Sequence, residues 1–224
     1  MIDPTEAKKL AGTIGVNQAV VIMEAYQMSL LDELGGSPLS KKLVFKGGTC
    51  LRLAYNSFRF SEDLDFSQLS PVSFNYFSQI IKKVVAKYPE MTIVDLFNMP
   101  QTLFAKIIVS VNQLKVGIKI EVSKRKEIWH EGKDYQLKLL QSPASPLTPL
   151  IFVANLTKIY QDKIQATRSR RKPRDWFDLW FLSQKLDKPW NRKISLPKKL
   201  MLDRVRFLLP KSKRLILEKF DYEN

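Results

Sequence analysis

The chain has 224 residues, of which 45% are hydrophobic and 11% aromatic, and its formal net charge at pH 7 is +15. This length allows one hydrophobic core and a small second domain. No apolar run approaches the length of a membrane span, and the first residues do not have the pattern of a signal peptide. The single cysteine excludes an intrachain disulfide, which fits the reducing cytoplasm where we expect the protein to lie.

The positive charge lies in the second half of the chain. Residues 1–100 contain ten Lys and Arg and ten Asp and Glu, whereas residues 101–224 contain 27 and 12. Such an asymmetry indicates a polyanionic partner, either a nucleic acid or an acidic protein. A basic surface that faces only solvent and binds no partner would give the same numbers of charged residues.

The chain begins with a predicted helix and a short predicted strand. Apolar residues recur every three or four positions over residues 5–34, which is the spacing of a helix that packs on a core. Residues 43–45 form a short apolar run that suits a buried strand. Gly47 and Gly48 break this strand, and Thr49 is a suitable N-cap for a short helix.

The unit of strand, turn, helix, turn and strand suits phosphate chemistry. The short helix is predicted to end near Phe58, and Asp63-Leu64-Asp65-Phe66 then alternates polar and apolar side chains, as a half-buried strand does. Asp63 and Asp65 therefore share one face, where two carboxylates can bind divalent cations beside phosphates. A glycine pair allows close backbone approach to a ligand, and free N–H groups of the next helical turn attract anions. Taken separately, the glycine pair is typical of a turn and the two aspartates of a solvated strand face.

This unit resembles the signature of a toxin family. Phe45–Leu51 and Arg59–Phe66 are similar to the motif of the AbiEii/AbiGii toxins, which are nucleotidyltransferases of the DNA polymerase β-like superfamily. The resemblance covers residues 43–186 and implies the toxin half of a toxin–antitoxin or phage-defence pair, with an antitoxin protein as a partner. It also implies an NTP as substrate and Mg²⁺, as one or two ions, held by Asp63 and Asp65. The nucleotide-binding residues that it implies in this unit are Lys46, Gly47, Gly48, Thr49 and Arg59.

Residues 73–123 predict a helix followed by strands. An apolar stripe predicts the helix over residues 73–87, and Pro89 stops it. The pattern then predicts strands at residues 93–97, 103–111 and 114–123. On the last strand Glu121 is a candidate third metal carboxylate, because polymerase β-like sites usually place one beside the Asp-x-Asp strand. An exposed strand face without a metal explains Glu121 equally well.

A proline-rich segment divides the predicted elements into two groups. Residues 124–141 are polar and basic and predict a loop or an edge hairpin, and the three prolines over residues 143–149 can continue neither a helix nor a central strand. Beyond them the pattern predicts helices over residues 150–170, 174–186, 198–209 and 211–220. We therefore predict an α+β protein, with a small mixed-sheet nucleotidyltransferase core and flanking helices in residues 1–145 and a basic helical domain in residues 146–224.

A second group of candidate residues lies in the predicted helical domain. Lys163–Ala166 and Arg174–Leu179 are similar to the later motifs of the same family. The resemblance implies that Lys163 contacts the nucleotide triphosphate, and that Asp175 orients this lysine or acts near the attacking hydroxyl. Alternatively, Asp175 has no catalytic role, and its carboxylate only stabilises the start of its helix. Asp178 could pair with Arg174 or with a lysine.

Five cations lie in seven residues between two of the predicted helices, and they favour binding to an RNA or nucleotide phosphate backbone. They are Arg168, Arg170, Arg171, Lys172 and Arg174. The resemblance implies Mg²⁺-dependent transfer of a nucleoside monophosphate from an NTP, and the excess positive charge favours an RNA as the acceptor, with the 3′ end of a tRNA preferred. Transfer to a protein hydroxyl, and a non-catalytic nucleic-acid-binding module, are the alternatives.

Overall fold

A seven-stranded mixed sheet forms the centre of the computed structural model, which describes residues 2–222. The strands are β1 (Leu43–Lys46), β2 (Asp63–Gln68), β3 (Met91–Met99), β4 (Thr102–Val111), β5 (Leu114–Ser123), β6 (Tyr135–Leu139) and β7 (Leu150–Ala154). Their order across the sheet is β3-β4-β5-β2-β1-β7-β6. β2 pairs in parallel with β5 and antiparallel with β1, whereas β1 pairs in parallel with β7. The predicted α+β class and mixed sheet are confirmed.

Helices flank this sheet and follow it along the chain. They are α1 (Pro4–Ile14), α2 (Gln18–Gly35), α3 (Gly47–Tyr55), α4 (Phe74–Val85), α5 (Leu156–Ser169), α6 (Pro173–Lys185) and α7 (Lys198–Val205), with 3₁₀ turns at Pro38–Lys42, Arg206–Leu208 and Lys211–Lys219. α2 contacts β5 and β7 and buries most of its length, which explains why its apolar pattern is almost continuous. α5 and α6 pack on each other, and α6 also contacts α3.

The N-terminal segment forms two helices, and the prediction of a single helix over residues 5–34 was wrong. Gly15 adopts a left-handed conformation with φ of +80°, which ends α1. Asn17 then caps α2 by accepting a hydrogen bond from the backbone N–H of Ala19. A periodic apolar pattern continues across such a turn, because both helices bury a stripe against the same core.

β7 is the largest departure from the predicted elements, because residues 150–154 were predicted to be helical. They form a strand between β1 and β6, with Phe45 beside Val153. A short apolar run followed by a helix cannot be distinguished from the first turns of that helix by pattern alone. The sheet therefore extends beyond residue 145, and the predicted domain boundary does not fall at its edge. The polar segment 124–141, predicted as a loop or an edge hairpin, contains the single edge strand β6, whose partner β7 lies beyond the segment.

The last predicted helices are shorter and tighter than expected. The helix that begins at Lys198 ends at Val205 and continues as a single 3₁₀ turn, and Lys211–Lys219 is a 3₁₀ segment. Within that segment Leu217 is the one buried residue. So little packing cannot stabilise a full α-helix in a short polar segment.

Candidate active site

The two aspartates of β2 lie on one face of the middle of the sheet. Leu64 and Phe66 are buried in the core, whereas Asp63 and Asp65 point to the other side and are half-buried. In the strand register Asp65 lies directly between Lys46 of β1 and Glu121 of β5. The sheet therefore brings together three of the predicted site residues.

The glycine turn places the start of α3 against these aspartates. Gly47 has a φ of +82°, and a Cβ atom built on it would lie 2.2 Å from Asp65 Oδ2. Only glycine adopts this conformation without strain and leaves this space. Lys46 is the N-cap residue of α3 and its side chain makes no capping hydrogen bond. The first N–H groups of α3 are therefore not occupied by a side-chain cap and can face an anion.

Thr49 does not cap α3, and that prediction was wrong. The helix begins two residues earlier, at Gly47, and Thr49 lies in its first turn, where it is almost fully buried. Its hydroxyl donates a hydrogen bond of 2.5 Å to the backbone carbonyl of Asp63. Thr49 therefore fixes the strand that carries the aspartates, and its hydroxyl is already engaged. Only its backbone N–H could contact a nucleotide.

Without a bound cation, the negative charges of Asp63 and Asp65 repel each other. Burial, then the charges of Asp63 and Glu121, raise the pKa of Asp65 to about 6. Within the described part of the chain, the buried Oδ1 of Asp63 accepts no hydrogen bond. Lys119 Nζ lies 3.6 Å from this oxygen, and Arg174 Nη1 lies 3.9 Å from Oδ2. A cation between the carboxylates would relieve their repulsion and satisfy the free oxygen.

These residues fit Mg²⁺ as two protein ligands. Mg²⁺ is commonly bound by one or two carboxylates together with substrate phosphates and water. Over residues 2–222, no group of three or more Asp, Glu, His or Cys side chains is close enough to hold a metal. Glu121 therefore does not complete a preformed three-carboxylate site, although it lines the same space. Without a cation, three carboxylates repel each other, and the role of Glu121 as a ligand stays a prediction.

A largely buried chain of ion pairs lies next to the aspartates and links the loop after α3 to α5 and α6. Lys163 Nζ lies 2.7 Å from both Asp175 Oδ1 and Asp178 Oδ2. Asp178 also accepts two hydrogen bonds from Arg59, at 2.7 and 2.9 Å, and Asp175 accepts two from Arg170, at 2.8 and 3.2 Å. We call these five residues the ion-pair chain.

The ion-pair chain changes the interpretation of two sequence motifs. Arg59, which the resemblance placed among the nucleotide-binding residues, is 2% exposed and has its guanidinium bound to Asp178 and to the Phe60 carbonyl. Asp178 is fully buried between Arg59 and Lys163. No local signal could have revealed this bidentate pair, because its members lie 119 residues apart in sequence. Of the contacts in the ion-pair chain, the later family motif predicted only the one between Asp175 and Lys163.

Asp175 and Asp178 are expected to make the folded protein sensitive to acid. Burial alone would raise both pKa values, but Lys163 beside Asp175, and Arg59 and Lys163 beside Asp178, hold them below the ordinary aspartate range. A carboxylate with a lowered pKa contributes stability above its unfolded pKa of about 3.9 and loses it as the pH falls further. We expect the free energy of unfolding to fall steeply below about pH 4, in urea titrations between pH 7 and pH 3.

The control for this acid sensitivity is a variant without one of the two carboxylates. Arg59→Met combined with Asp178→Leu should lose less stability between pH 7 and pH 3 than the unmodified protein. An identical acid loss in the two proteins would assign the effect to other carboxylates.

Two adjoining cavities surround the ion-pair chain and the aspartates. The larger has a volume of about 230 Å³ and includes Lys46, Gly47 and Arg125 in its wall, and the smaller, of about 70 Å³, includes Gly48, Asp63 and Arg174. Four residues line both cavities: Asp65, Glu121, Lys163 and Arg170. Lys46 Nζ lies 3.6 Å from Asp162 Oδ2 on α5, so the larger cavity has its own ammonium group. The carboxylates therefore lie at the boundary between two polar spaces.

Gly48 fits the site only because it has no side chain. A Cβ atom at this position would lie 2.2 Å from Arg59 Nη2 and 2.8 Å from Ser61 Oγ. We expect Gly48→Ala to displace Arg59 from Asp178 and to lower the free energy of unfolding by about 1–3 kcal/mol, the usual cost of overpacking. Gly12→Ala is the matched control, because a Cβ atom there meets nothing within 4 Å. Equal unfolding midpoints in urea for the two variants would contradict this prediction.

The five predicted RNA-binding cations are not equivalent. Arg170 pairs with Asp175, Arg174 Nη1 lies 2.8 Å from Glu62 Oε2, and Arg171 donates to the Ser195 carbonyl at 3.1 Å. Arg168 and Lys172 are exposed, as are Arg170 and Arg171. The segment therefore presents positive charge to solvent while two of its arginines also support the cavity wall.

Comparison with known proteins decides the family. The family model described as nucleotidyl transferase AbiEii toxin, type IV TA system, matches residues 29–217. The chain belongs to this family. It is accordingly a member of a family of nucleotidyltransferase toxins, as its motifs indicated. The match includes the glycine turn, the aspartates of β2 and the ion-pair chain.

Solved structures with the same fold include proteins from two bacteria. MenT4, the nucleotidyltransferase toxin Rv2826c from Mycobacterium tuberculosis H37Rv, has a TM-score of 0.60 and 18% identity, with 100% of this chain and 75% of that chain covered. JHP933 from Helicobacter pylori has a TM-score of 0.54 and 22% identity, with coverage of 76% and 68%. At these identities the likeness shows the fold alone. No curated protein matches the chain.

Among residues 2–222, no helix has the length and apolar character needed to cross a membrane.

Proposed function

We propose that this AbiEii-family protein transfers a nucleoside monophosphate from an NTP to the 3′ hydroxyl of an RNA, and that a tRNA is the favoured acceptor. The observation that carries this proposal is the meeting of carboxylates, backbone N–H groups and cations around two adjoining cavities. Carboxylates suit a divalent cation, and the other two groups suit a triphosphate. Few other reactions need all three together.

The glycine turn and two lysines would bind the triphosphate. The N–H groups at the start of α3, at Gly47, Gly48 and Thr49, would donate hydrogen bonds to the β- and γ-phosphates, because the N-cap residue Lys46 makes no side-chain capping hydrogen bond. Lys46 would exchange its long contact with Asp162 for a phosphate. Lys163 borders both cavities and would neutralise charge on the triphosphate as the bond to the leaving pyrophosphate breaks.

Asp63 and Asp65 would hold Mg²⁺, with Glu121 as the candidate third carboxylate. When bound, Mg²⁺ would neutralise phosphate charge and orient the triphosphate. The Oδ1 atom of Asp63 accepts no hydrogen bond, and burial and neighbouring carboxylates raise the pKa of Asp65. Both observations support this assignment, because a bound cation would ligate that oxygen and stabilise the ionised form of Asp65.

Asp175 would orient Lys163 and would not accept the proton of the acceptor hydroxyl. Both of its oxygens already accept hydrogen bonds, from Lys163 and Arg170. Its pKa also lies below the ordinary aspartate range, so it is a poor base near neutral pH. Arg59 would act in the same indirect way, by holding Asp178 against Lys163. This replaces the direct nucleotide contact that the resemblance implied for Arg59.

The positive charge of the second half of the chain supports an RNA acceptor. Arg168 at the end of α5 is exposed, as are Arg170, Arg171 and Lys172 between α5 and α6. Arg170 and Lys172 also line the smaller cavity. Cations in this arrangement bind a phosphate backbone without reading its sequence. We propose that the protein acts in the cytoplasm as the toxin of a toxin–antitoxin pair that defends against phage, with an antitoxin protein as its partner.

The test is incubation of the full chain with each labelled NTP, Mg²⁺ and total cellular RNA. We expect label from one or more NTPs in a band of tRNA size, and no label with Asp63→Ala combined with Asp65→Ala. The same incubation without Mg²⁺ should give no label. Label on protein in place of RNA would overturn the RNA acceptor, and the absence of any label from a folded preparation would favour a non-catalytic nucleic-acid-binding module.

A further inference from the structure

We propose that a groove beside the smaller cavity binds the single-stranded 3′ segment of the acceptor RNA, with Phe207 stacking on one of its bases. The proposal rests on the proposed function and specifies where the acceptor lies. The groove has a volume of about 440 Å³. Its wall contains four cations, one acid and one exposed aromatic ring: Arg171, Lys172, Arg174, Arg204, Glu62 and Phe207. We call it the Phe207 groove.

The Phe207 groove is continuous with the candidate active site. Lys172 and Arg174 line both this groove and the smaller cavity, which also contains Asp63 and Asp65. Arg174 spans the boundary, since its Nη1 atom lies 2.8 Å from Glu62 Oε2 and 3.9 Å from Asp63 Oδ2. A strand that follows the groove would therefore bring its end to the carboxylates.

The charge of the groove suits a phosphate backbone. Four cations face a single carboxylate, that of Glu62, and Arg174 already pairs with it. Arg171, Lys172 and Arg204 are exposed to solvent. Arg204 lies on α7, about thirty residues from the basic segment, so the fold adds a cation that the local charge run did not reveal.

Phe207 has the placement of a stacking platform. The residue is 46% exposed, although phenylalanine has no polar atom that would favour exposure. The adjacent Leu208 is buried, and its carbonyl accepts a hydrogen bond of 2.9 Å from the backbone N–H of Phe60. The backbone next to Phe207 is thus anchored to the loop that carries Arg59. Aromatic rings beside cations bind the exposed bases of single strands, whereas the stacked bases of a duplex cannot reach them.

Binding of RNA to the full chain tests this proposal without depending on activity. The probe is a fluorescein-labelled single-stranded RNA octamer, measured by anisotropy over a range of salt concentrations. We expect Phe207→Ala to weaken binding by about tenfold or more, in line with the loss of one stacked base, without changing the salt dependence. Arg204→Ala should weaken binding and reduce the slope of log K against log salt by about 0.7, the contribution of one phosphate contact to a single strand.

Two matched variants control for general effects of the substitutions. Phe97→Ala removes another exposed ring, 51% exposed on the edge strand β3, and Lys83→Ala removes an exposed cation on α4. Both should bind the octamer like the unmodified protein. Phe207→Leu keeps an apolar side chain at the same place, so it should remain folded and still bind more weakly. A blunt RNA hairpin should bind with little dependence on Phe207.

The outcomes separate this inference from the proposed function. If Phe207→Ala and Arg204→Ala bind and label RNA like the unmodified protein, while the double aspartate variant is inactive, the inference is overturned and the function stands. If the unmodified protein labels protein and not RNA, the proposed function falls. If a poly-glutamate peptide competes fully for the groove and depends on Phe207 as strongly as the octamer does, the groove binds an acidic protein and the inference is again overturned.

Discussion

Asp63→Asn and Asp65→Asn are each expected to reduce nucleotidyl transfer by at least about a thousandfold, because under the proposed function each substitution would neutralise a ligand of Mg²⁺ and remove several kcal/mol of transition-state stabilisation. Asparagine keeps the size of the side chain, so the effect isolates the charge. The measurement is the initial rate of label transfer to RNA at saturating NTP and Mg²⁺. Asp95→Asn is the matched control, because Asp95 is also a half-buried carboxylate on a strand, and it lies outside both active-site cavities.

The same substitutions should leave the protein at least as stable as before. Burial and the charges of Asp63 and Glu121 already disfavour the ionised form of Asp65, as its pKa of about 6 shows. Removal of one charge relieves that repulsion near neutral pH, so unfolding midpoints should stay equal or rise. A variant that loses both activity and stability would place these aspartates in a structural role. A variant that retains more than a tenth of the activity would contradict their role as metal ligands.

The residues of the glycine turn and β2 could be predicted from the sequence because their geometry is local. Gly47 must adopt a positive φ, and the alternation over residues 63–66 determines which side chains share a face. These constraints act over a few residues, so a motif contains almost all of the relevant information. The pairing of Lys46, Asp65 and Glu121 needs only the additional fact that their three strands are neighbours.

The remaining features depend on contacts between distant parts of the chain. Arg59 and Asp178 each lie in a family motif, but they pair only after α6 packs beside the loop that follows α3, so neither motif alone reveals the contact. The apolar run of β7 fits a strand or a helix equally well, and its position beside β1 decides between them. The Phe207 groove likewise combines Glu62, the basic segment and α7. Each of these features would need an alignment or a structure to be found.

Asp178→Ala is expected to lower the free energy of unfolding by about 3–5 kcal/mol, because removal of one partner leaves an uncompensated charge in the protein interior. Arg59 is 2% exposed and would lose both hydrogen bonds that it donates to Asp178, and Lys163, which is 8% exposed, would keep only Asp175 as an acceptor. The loss is large beside a typical total stability of about 5–15 kcal/mol, so this variant should be partly unfolded at 37 °C or have a strongly reduced urea midpoint. Urea unfolding followed by circular dichroism measures it.

The variant that carries Arg59→Met together with Asp178→Leu separates stability from positioning. Replacing a buried ion pair by apolar residues of similar volume is often neutral or stabilising, so this variant should recover most of the stability that Asp178→Ala loses. It should not recover activity, because Lys163 would then be held by Asp175 alone and would no longer be fixed between two carboxylates. A stable double variant with unchanged kcat would show that the Arg59–Asp178 pair supports the fold only. A stable double variant with reduced kcat and little change in the KM for NTP would show that the pair positions Lys163 for the transition state.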